Sequence, residues 1–325
     1  MIRAVSQSVV EYGRNAIDGW NRFWFTPSDP AVLSLIRICA GAMLLYTHFV
    51  WTFDLQAFFG ADGWIPASVV EAEPGYRAIA FWSYLWYVQS PTLLWIAHLA
   101  ALGVFACLTV GYRSRLMSVL AYVIAVSYVH RAPAAFFGLD KINCMLAMYL
   151  IIGPCGAYYS VDRWLKGRRD DAPQQAPESS VGATVAIRMI QLHMCIIYLF
   201  SGLDKLQGET WWDGTAVWLT LASLEYQSLD MTWMAHWPKL VALLTHLTIA
   251  WEVFYIAMVW NRNLRPLVLL MAVAVHGGIG LFLGMITFGL VMLIGNLAFL
   301  SPAFVHALVD PFGRRVHAAL QVEVA

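Results

Sequence analysis

The sequence predicts an all-α, polytopic integral membrane bundle of about eight transmembrane helices. Three observations predict it. First, 60% of the 325 residues are hydrophobic and 12% are charged, whereas soluble domains carry roughly 25% charged residues. Mean hydropathy is +0.63, which places the chain in a bilayer before any motif is read. Second, apolar runs near the roughly 20-residue length that crosses a hydrocarbon core lie at about 31–52, 91–112, 115–130, 142–159, 183–203, 238–260, 266–282 and 284–300. They are too long for membrane strands and lack period-two alternation. Third, the basic residues divide by side. With the N-terminus in the cytoplasm, thirteen Lys and Arg fall inside, among them Arg14, Arg113, Arg163, Lys166, Arg262 and Arg314. Five fall outside: Arg77, Arg131, Lys141, Lys205 and Lys239. That bias orients a multi-pass protein with both termini cytoplasmic.

Residues 1–30 read as a cytoplasmic segment, 31–302 as the membrane domain and 303–325 as a cytoplasmic tail. The polar start shows no cleaved signal sequence. Zero net charge gives no reason to expect a nucleic-acid partner. The five cysteines have no CxxC spacing, so neither disulfides nor a bound metal is expected. Two long extracytoplasmic segments, about 54–90 and 204–237, are rich in Trp and acidic residues and suit the outer interface. Any single Trp there has an ordinary explanation in the aromatic belt.

Ionisable groups inside spans are the functional candidates. On the fifth predicted helix Arg188, Gln191, Cys195, Tyr198, Gly202 and Lys205 recur at spacings of 3, 4, 3, 4, 3, which puts them on one face. Arg188 and Gln191 are equally explained as polar glue between helices. Lys205 ends that helix in FSGLDKLQGETWWDG. Desolvation there favours the neutral amine, the form a general base needs; the bland reading is a snorkelling lysine. Glu252 shares a face with Thr245, Thr248 and Tyr255, and Arg188 is its expected partner by depth. Arg37 belongs to a buried stripe with Ser34, Gly41 and His48. Three histidines, His193, His246 and His276, fall within spans; a facing pair could hold a haem, though no spacing supports it.

Several strings, in this order, carry a family resemblance: TPSDPAVLSLIRICAG at the first helix, GYRSR after the second, FGLDKIN before the fourth and YYSVDRW after it. VAIRMIQLHMCIIYLFSGLDKL and VAVHGGIGLFLGMITFGLVML follow. From about Thr26 to Pro302 the chain resembles the HTTM (horizontally transferred transmembrane) family, related to the membrane domain of vitamin K-dependent gamma-glutamyl carboxylase. The resemblance implies that Lys205, in G-x-x-K-L, is the base that deprotonates a reduced, vitamin K-like quinone. Oxygenation of that quinol then yields a stronger base able to remove a glutamate γ-proton. It also implies His276 as a catalytic partner and Arg188 and Gln191 as family polar positions. The family's Asn-Asn-His-Ser segment falls at about Gly138 to Lys141, so its histidine is replaced by Leu139 or Asp140. The carboxylases continue into a large lumenal domain, whereas this chain ends soon after Pro302.

The expectation is a cavity lined by Lys205, Tyr198, Asp140 and His276, with Trp211 and Trp212 beside the cofactor. The expected function is a carboxylase-like enzyme, a quinol-dependent carboxylase or epoxidase, whose partners are lipids, a lipid-soluble quinone and a protein or small-molecule substrate. The alternative is a non-catalytic quinone- or lipid-binding module or complex subunit. A transporter is disfavoured because no internal repeat is visible.

Overall fold

In the computed structural model, which describes residues 2–72, 81–169 and 175–311 (residues 2–10, 71 and 169 by backbone alone), helices carry the architecture. In chain order they are α1 (Ile2–Phe25), α2 (Ala31–Trp51), α3 (Leu55–Phe59), α4 (Ala67–Ala72), α5 (Pro91–Val110), α6 (Ser114–Arg131) and α7 (Gly138–Leu150). Then come α8 (Val161–Arg169), α9 (Val181–Lys205), α10 (Glu209–Trp212), α11 (Ala216–Leu221), α12 (Pro238–Met258), α13 (Arg265–Phe282) and α14 (Ile286–Asn296). Among the described residues, extended pairing is limited to one bridge, Ser28 to Ser180. Glu73, Arg77, Arg314, Arg315 and most of the 303–325 tail lie outside the described residues.

Among the described residues, five segments are long and apolar enough to cross a membrane: α2 continued into α3, then α5, α9, α12 and α13. A sixth crossing results if α14 and the helix Pro302–Pro311, bent 119° apart, form one broken span. By length and composition the described residues thus hold five or six candidate spans, where the sequence suggested about eight. The run at 115–130 forms α6, but Arg115, His130 and Arg131 occupy its two ends. The run at 142–159 stops at Leu150, because Gly153 and Pro154 break it and residues 151–160 turn back. Thirteen residues of α7 reach about 20 Å at 1.5 Å each, short of the roughly 30 Å core. Here hydrophobicity marks burial among helices: Leu146, Ala147 and Leu150 are fully buried.

Arg37 closes one face of the bundle. Its guanidinium is fully buried and donates to Leu108 O (2.7 Å), Thr109 O (2.6 Å), Cys155 O (3.0 Å) and Tyr159 O (2.6 Å). These carbonyls lie at the end of α5 and in the 151–160 turns, where regular helical partners run out; Leu108 O also receives the Gly111 N–H at 3.1 Å. Gly111 caps α5 at φ +74, and a Cβ there would meet Arg37 Nη1 at 2.7 Å. At the opposite face, Thr52 Oγ1 and the Tyr128 hydroxyl hold His98 at 2.9 and 2.7 Å, joining α2, α5 and α6. The main core gathers α2, α7, α9, α12, α13 and α14.

Candidate functional site

The site is built where α9 and α12 touch. Gly202 makes that approach possible: a Cβ would meet Val253 Cγ2 at 2.8 Å, Val253 N at 3.0 Å and Glu252 Cβ at 3.1 Å. With the helices this close, Glu252 reaches Lys205. Nζ donates to Glu252 Oε1 at 3.0 Å and stands 2.8 Å from Oε2. It also donates to Ser201 Oγ at 2.7 Å, and the Trp211 ring lies 5.4 Å from it. The side chains of Lys205 and Glu252 are 23% and 8% exposed, so this is an ion pair largely removed from water.

Two expectations are corrected here. Glu252 is partnered by Lys205 and not by Arg188. The depth expectation put Arg188 and Glu252 together toward the cytoplasmic half; instead Lys205, the last residue of α9, meets α12 fourteen residues beyond Pro238, about 21 Å along its axis. The segment after Lys205 fills the resulting step by running beside α12. Thr245 Oγ1 donates to Gly214 O (3.0 Å) and receives Val217 N–H (3.3 Å), while His246 Nε2 meets Trp212 O (3.2 Å). The second concerns isolation: Lys205 does not stand alone at the helix end but has a carboxylate directly against it.

Two turns below Lys205 lies a buried hydrogen-bond chain. The Asn296 amide donates from Nδ2 to Met292 O at 2.9 Å, which identifies the nitrogen. The same Nδ2 donates to the Tyr198 hydroxyl (2.8 Å), and Tyr255 donates its hydroxyl to Oδ1 (2.6 Å). The Tyr198 hydroxyl pairs in turn with His276 Nε2 at 2.7 Å. The other ring nitrogen, Nδ1, is buried without a hydrogen-bond partner in the protein. Tyr198 and Tyr255 pack ring to ring at 4.2 Å, with Trp251 4.8 Å from Tyr198.

The other expected residues are elsewhere. Asp140 receives the Phe137 backbone N–H at 3.2 Å. Phe288 packs between its helix and His276, 2.8 Å from the Cβ position of Gly138 and 6.3 Å, ring to ring, from His276. Trp212 is exposed and donates its indole N–H to Leu206 O at 2.7 Å. Arg188 donates to Phe23 O (3.3 Å) and Gln191 Oε1 (3.0 Å) and lies over the Phe23 ring; Gln191 donates to Ala298 O (2.7 Å). Both tie α9 to its neighbours. Of the three span histidines, His193 pairs with Tyr149 (2.9 Å), His246 with a backbone carbonyl and His276 with Tyr198. Two cavities border the site: about 460 Å³ beside His276 and about 290 Å³ beside Trp211. Neither is lined by Lys205, Tyr198 or Asp140.

Sequence reasoning missed Ser201, Asn296 and Asn143. Ser201 lies four residues before Lys205, one turn away on the same face, and that spacing was the available signal. Asn296 sits in an apolar run, where an amide needs a buried partner. Asn143 is buried with neither amide atom satisfied by the protein.

An all-helical chain with five or six candidate spans and a buried ion pair between two of them is a multi-pass membrane protein. The model of the HTTM domain matches residues 25–304, and the chain belongs to that family. No curated protein and no solved structure matches the chain.

Proposed function

We propose that this HTTM protein is a carboxylase-like membrane enzyme acting with a reduced quinone, with Lys205 as the general base. The observation that carries the reading is the Lys205–Glu252–Ser201 cluster beneath Trp211. An ionisable pair this far from water is expensive to maintain and marks a functional position in a membrane. The residues fit a quinol: Trp211 offers an aromatic face, and the amine offers a polar contact for a ring hydroxyl. When bound, the quinol supplies the reducing equivalents. Glu252, 2.8–3.0 Å away, takes a proton from Nζ and leaves a neutral amine. Nζ then accepts the hydroxyl proton, while Ser201 keeps the amine in place. In this role Glu252 is a positioning residue and proton store.

The test is quinol-dependent oxygen uptake and epoxide formation in purified variants. Lys205→Ala abolishes both while quinone binding persists. Lys205→Arg also fails, because a guanidinium stays protonated. Activity retained in Lys205→Arg overturns the base role. The completeness of the ion pair supports a second reading: a non-catalytic quinone- or lipid-binding module in which Lys205 and Glu252 only join α9 to α12. In that case wild type shows no quinol-dependent turnover.

We further propose that both termini face the cytoplasm, because basic residues cluster on that side. Cysteine labelling checks this; a label at residue 170 that reacts only from outside refutes it.

A further inference from the structure

The described side chains of α1 meet the bundle near its C-terminal end. Arg188 donates to Phe23 O at 3.3 Å and lies 4.4 Å from the Phe23 ring. Phe23 packs on Trp260 at 5.7 Å, and Thr184 Oγ1 donates to Thr26 O at 2.6 Å. Trp260 stands in the turn where the candidate span α12 ends and α13 begins. These contacts therefore fix the end of α1 at one edge of the membrane-spanning region. Further toward the N-terminus, Tyr12 is 78% exposed, and Ile17 and Trp20 are each 62% exposed.

The helix divides into two faces. At roughly 100° per residue, Tyr12, Ala16, Ile17, Trp20, Phe23 and Trp24 fall within an arc of about 140°. Glu11, Arg14, Asn15, Asp18, Asn21 and Arg22 occupy the opposite side. The face that Phe23 turns to Trp260 is thus the face that carries Trp20, Ala16 and Tyr12 outward, away from that contact. The 24 residues of α1 reach about 36 Å at 1.5 Å each. Beyond the protein, the neighbour of a membrane bundle at this level is lipid. Four charges between Glu11 and Arg22 keep the helix from crossing hydrocarbon. A charged face opposite an aromatic and aliphatic one is the form of a helix that lies in the interface plane. Arg14 and Arg22 balance Glu11 and Asp18, so these residues offer a charged headgroup no net attraction, and apolar burial is what remains to hold the helix down.

We propose that α1 is an in-plane membrane anchor. It lies along the surface of the bilayer that holds the spans, with Tyr12, Ile17 and Trp20 buried among the glycerol and upper acyl groups of uncharged-surface lipids and with Arg14, Asp18 and Arg22 facing water. The occupant of the apolar face is the surrounding lipid. The anchor stands apart from the proton chemistry at Lys205, and its test requires no turnover.

The test places the photocrosslinker p-benzoylphenylalanine singly at Asn15, Ile17, Asp18 or Trp20 of the full chain in phosphatidylcholine nanodiscs. After irradiation, mass spectrometry reads the adducts. Positions 17 and 20 give phosphatidylcholine adducts, and positions 15 and 18 do not. Ile17→Asp lowers the adduct at position 20 roughly tenfold, the effect of losing about 1.4 kcal/mol of affinity. Asn15→Asp adds the same charge to the polar face and leaves that adduct unchanged. Both positions are exposed, so the bundle folds in either variant, and an unchanged thermal midpoint checks that. Replacing part of the phosphatidylcholine with phosphatidylglycerol leaves the total lipid adduct at position 20 unchanged. No lipid adduct at 17 or 20, equal lipid adducts from all the positions, crosslinks from position 20 to a second copy of the chain, or adducts that need phosphatidylglycerol overturn the proposal.

Discussion

Removing one member of the Lys205–Glu252 pair should harm the fold far more than removing both. Glu252→Leu leaves an ammonium whose side chain is 23% exposed facing a new apolar group. Breaking one side of a buried pair costs about 3–5 kcal/mol. The remaining Ser201 contact and the residual exposure of Lys205 place the loss near 3 kcal/mol. At roughly 2 °C per kcal/mol for a chain of this size, the midpoint falls by about 6 °C. Lys205→Leu leaves the more buried carboxylate alone and should cost at least as much. In the double variant no charge is stranded, and the expected change is within about 1 kcal/mol of wild type. The protein supplies its own reporter: five free cysteines, two buried and three half-buried, react with a thiol dye as the bundle opens. A double variant as unstable as the sum of the single variants would show that the charges do not interact.

Three further outcomes follow from the packing. Gly202→Val drives a branched side chain against Val253 and Glu252 and should separate α9 from α12, lowering stability by about 1–3 kcal/mol; a thermal midpoint equal to wild type would contradict that contact. Arg37→Lys cannot serve four carbonyls in one plane, and each buried carbonyl left unpaired costs about 1–3 kcal/mol, so yield in detergent should collapse while Arg115→Lys expresses normally. His306, on the helix Pro302–Pro311, is held by Asp29 (3.0 Å) and Asp310 (3.2 Å); His306→Leu removes both contacts and should lower the thermal midpoint, and a midpoint equal to wild type would contradict their contribution.

How much of this was legible depends on which force shaped each element. The long spans were legible because a helix exposed to lipid must be apolar over its whole length. α5, α9, α12 and α13 fall within a few residues of the expected runs. The short elements were not, because the same residue types line a protein core and a lipid contact. α7 reads as a span from composition, yet it is thirteen residues long and buried among four other helices. The polar stripe on α9 was legible as a face and illegible as a function. Its lower end anchors neighbours through Arg188 and Gln191, its middle carries Tyr198, and its upper end carries the ion pair.

The pairing of Glu252 follows from donor arithmetic once the backbone is known. Three cations, Arg37, Arg188 and Lys205, lie on α2 or α9, and Glu252 is the deep carboxylate on α12. A guanidinium has five donors in a plane and can be satisfied by carbonyls wherever helices end. Arg37 does so at the end of α5 and the broken chain after α7, and Arg188 uses Phe23 O and the Gln191 amide. Both arginines thus find uncharged protein acceptors. An ammonium concentrates its charge on one atom and lacks that planar fork, so Lys205 is the cation for which a carboxylate matters most. Sequence spacing could not supply this, because it depends on where α7 breaks and where α9 stops against α12. The same geometry constrains the proposed catalytic role. In that role Glu252 takes the Nζ proton, so Glu252→Gln, which keeps size and a hydrogen bond but cannot take a proton, should slow quinol-dependent turnover while sparing the thermal midpoint more than Glu252→Leu. Full turnover in Glu252→Gln would remove Glu252 from the proton path and reduce the pair to a structural clasp.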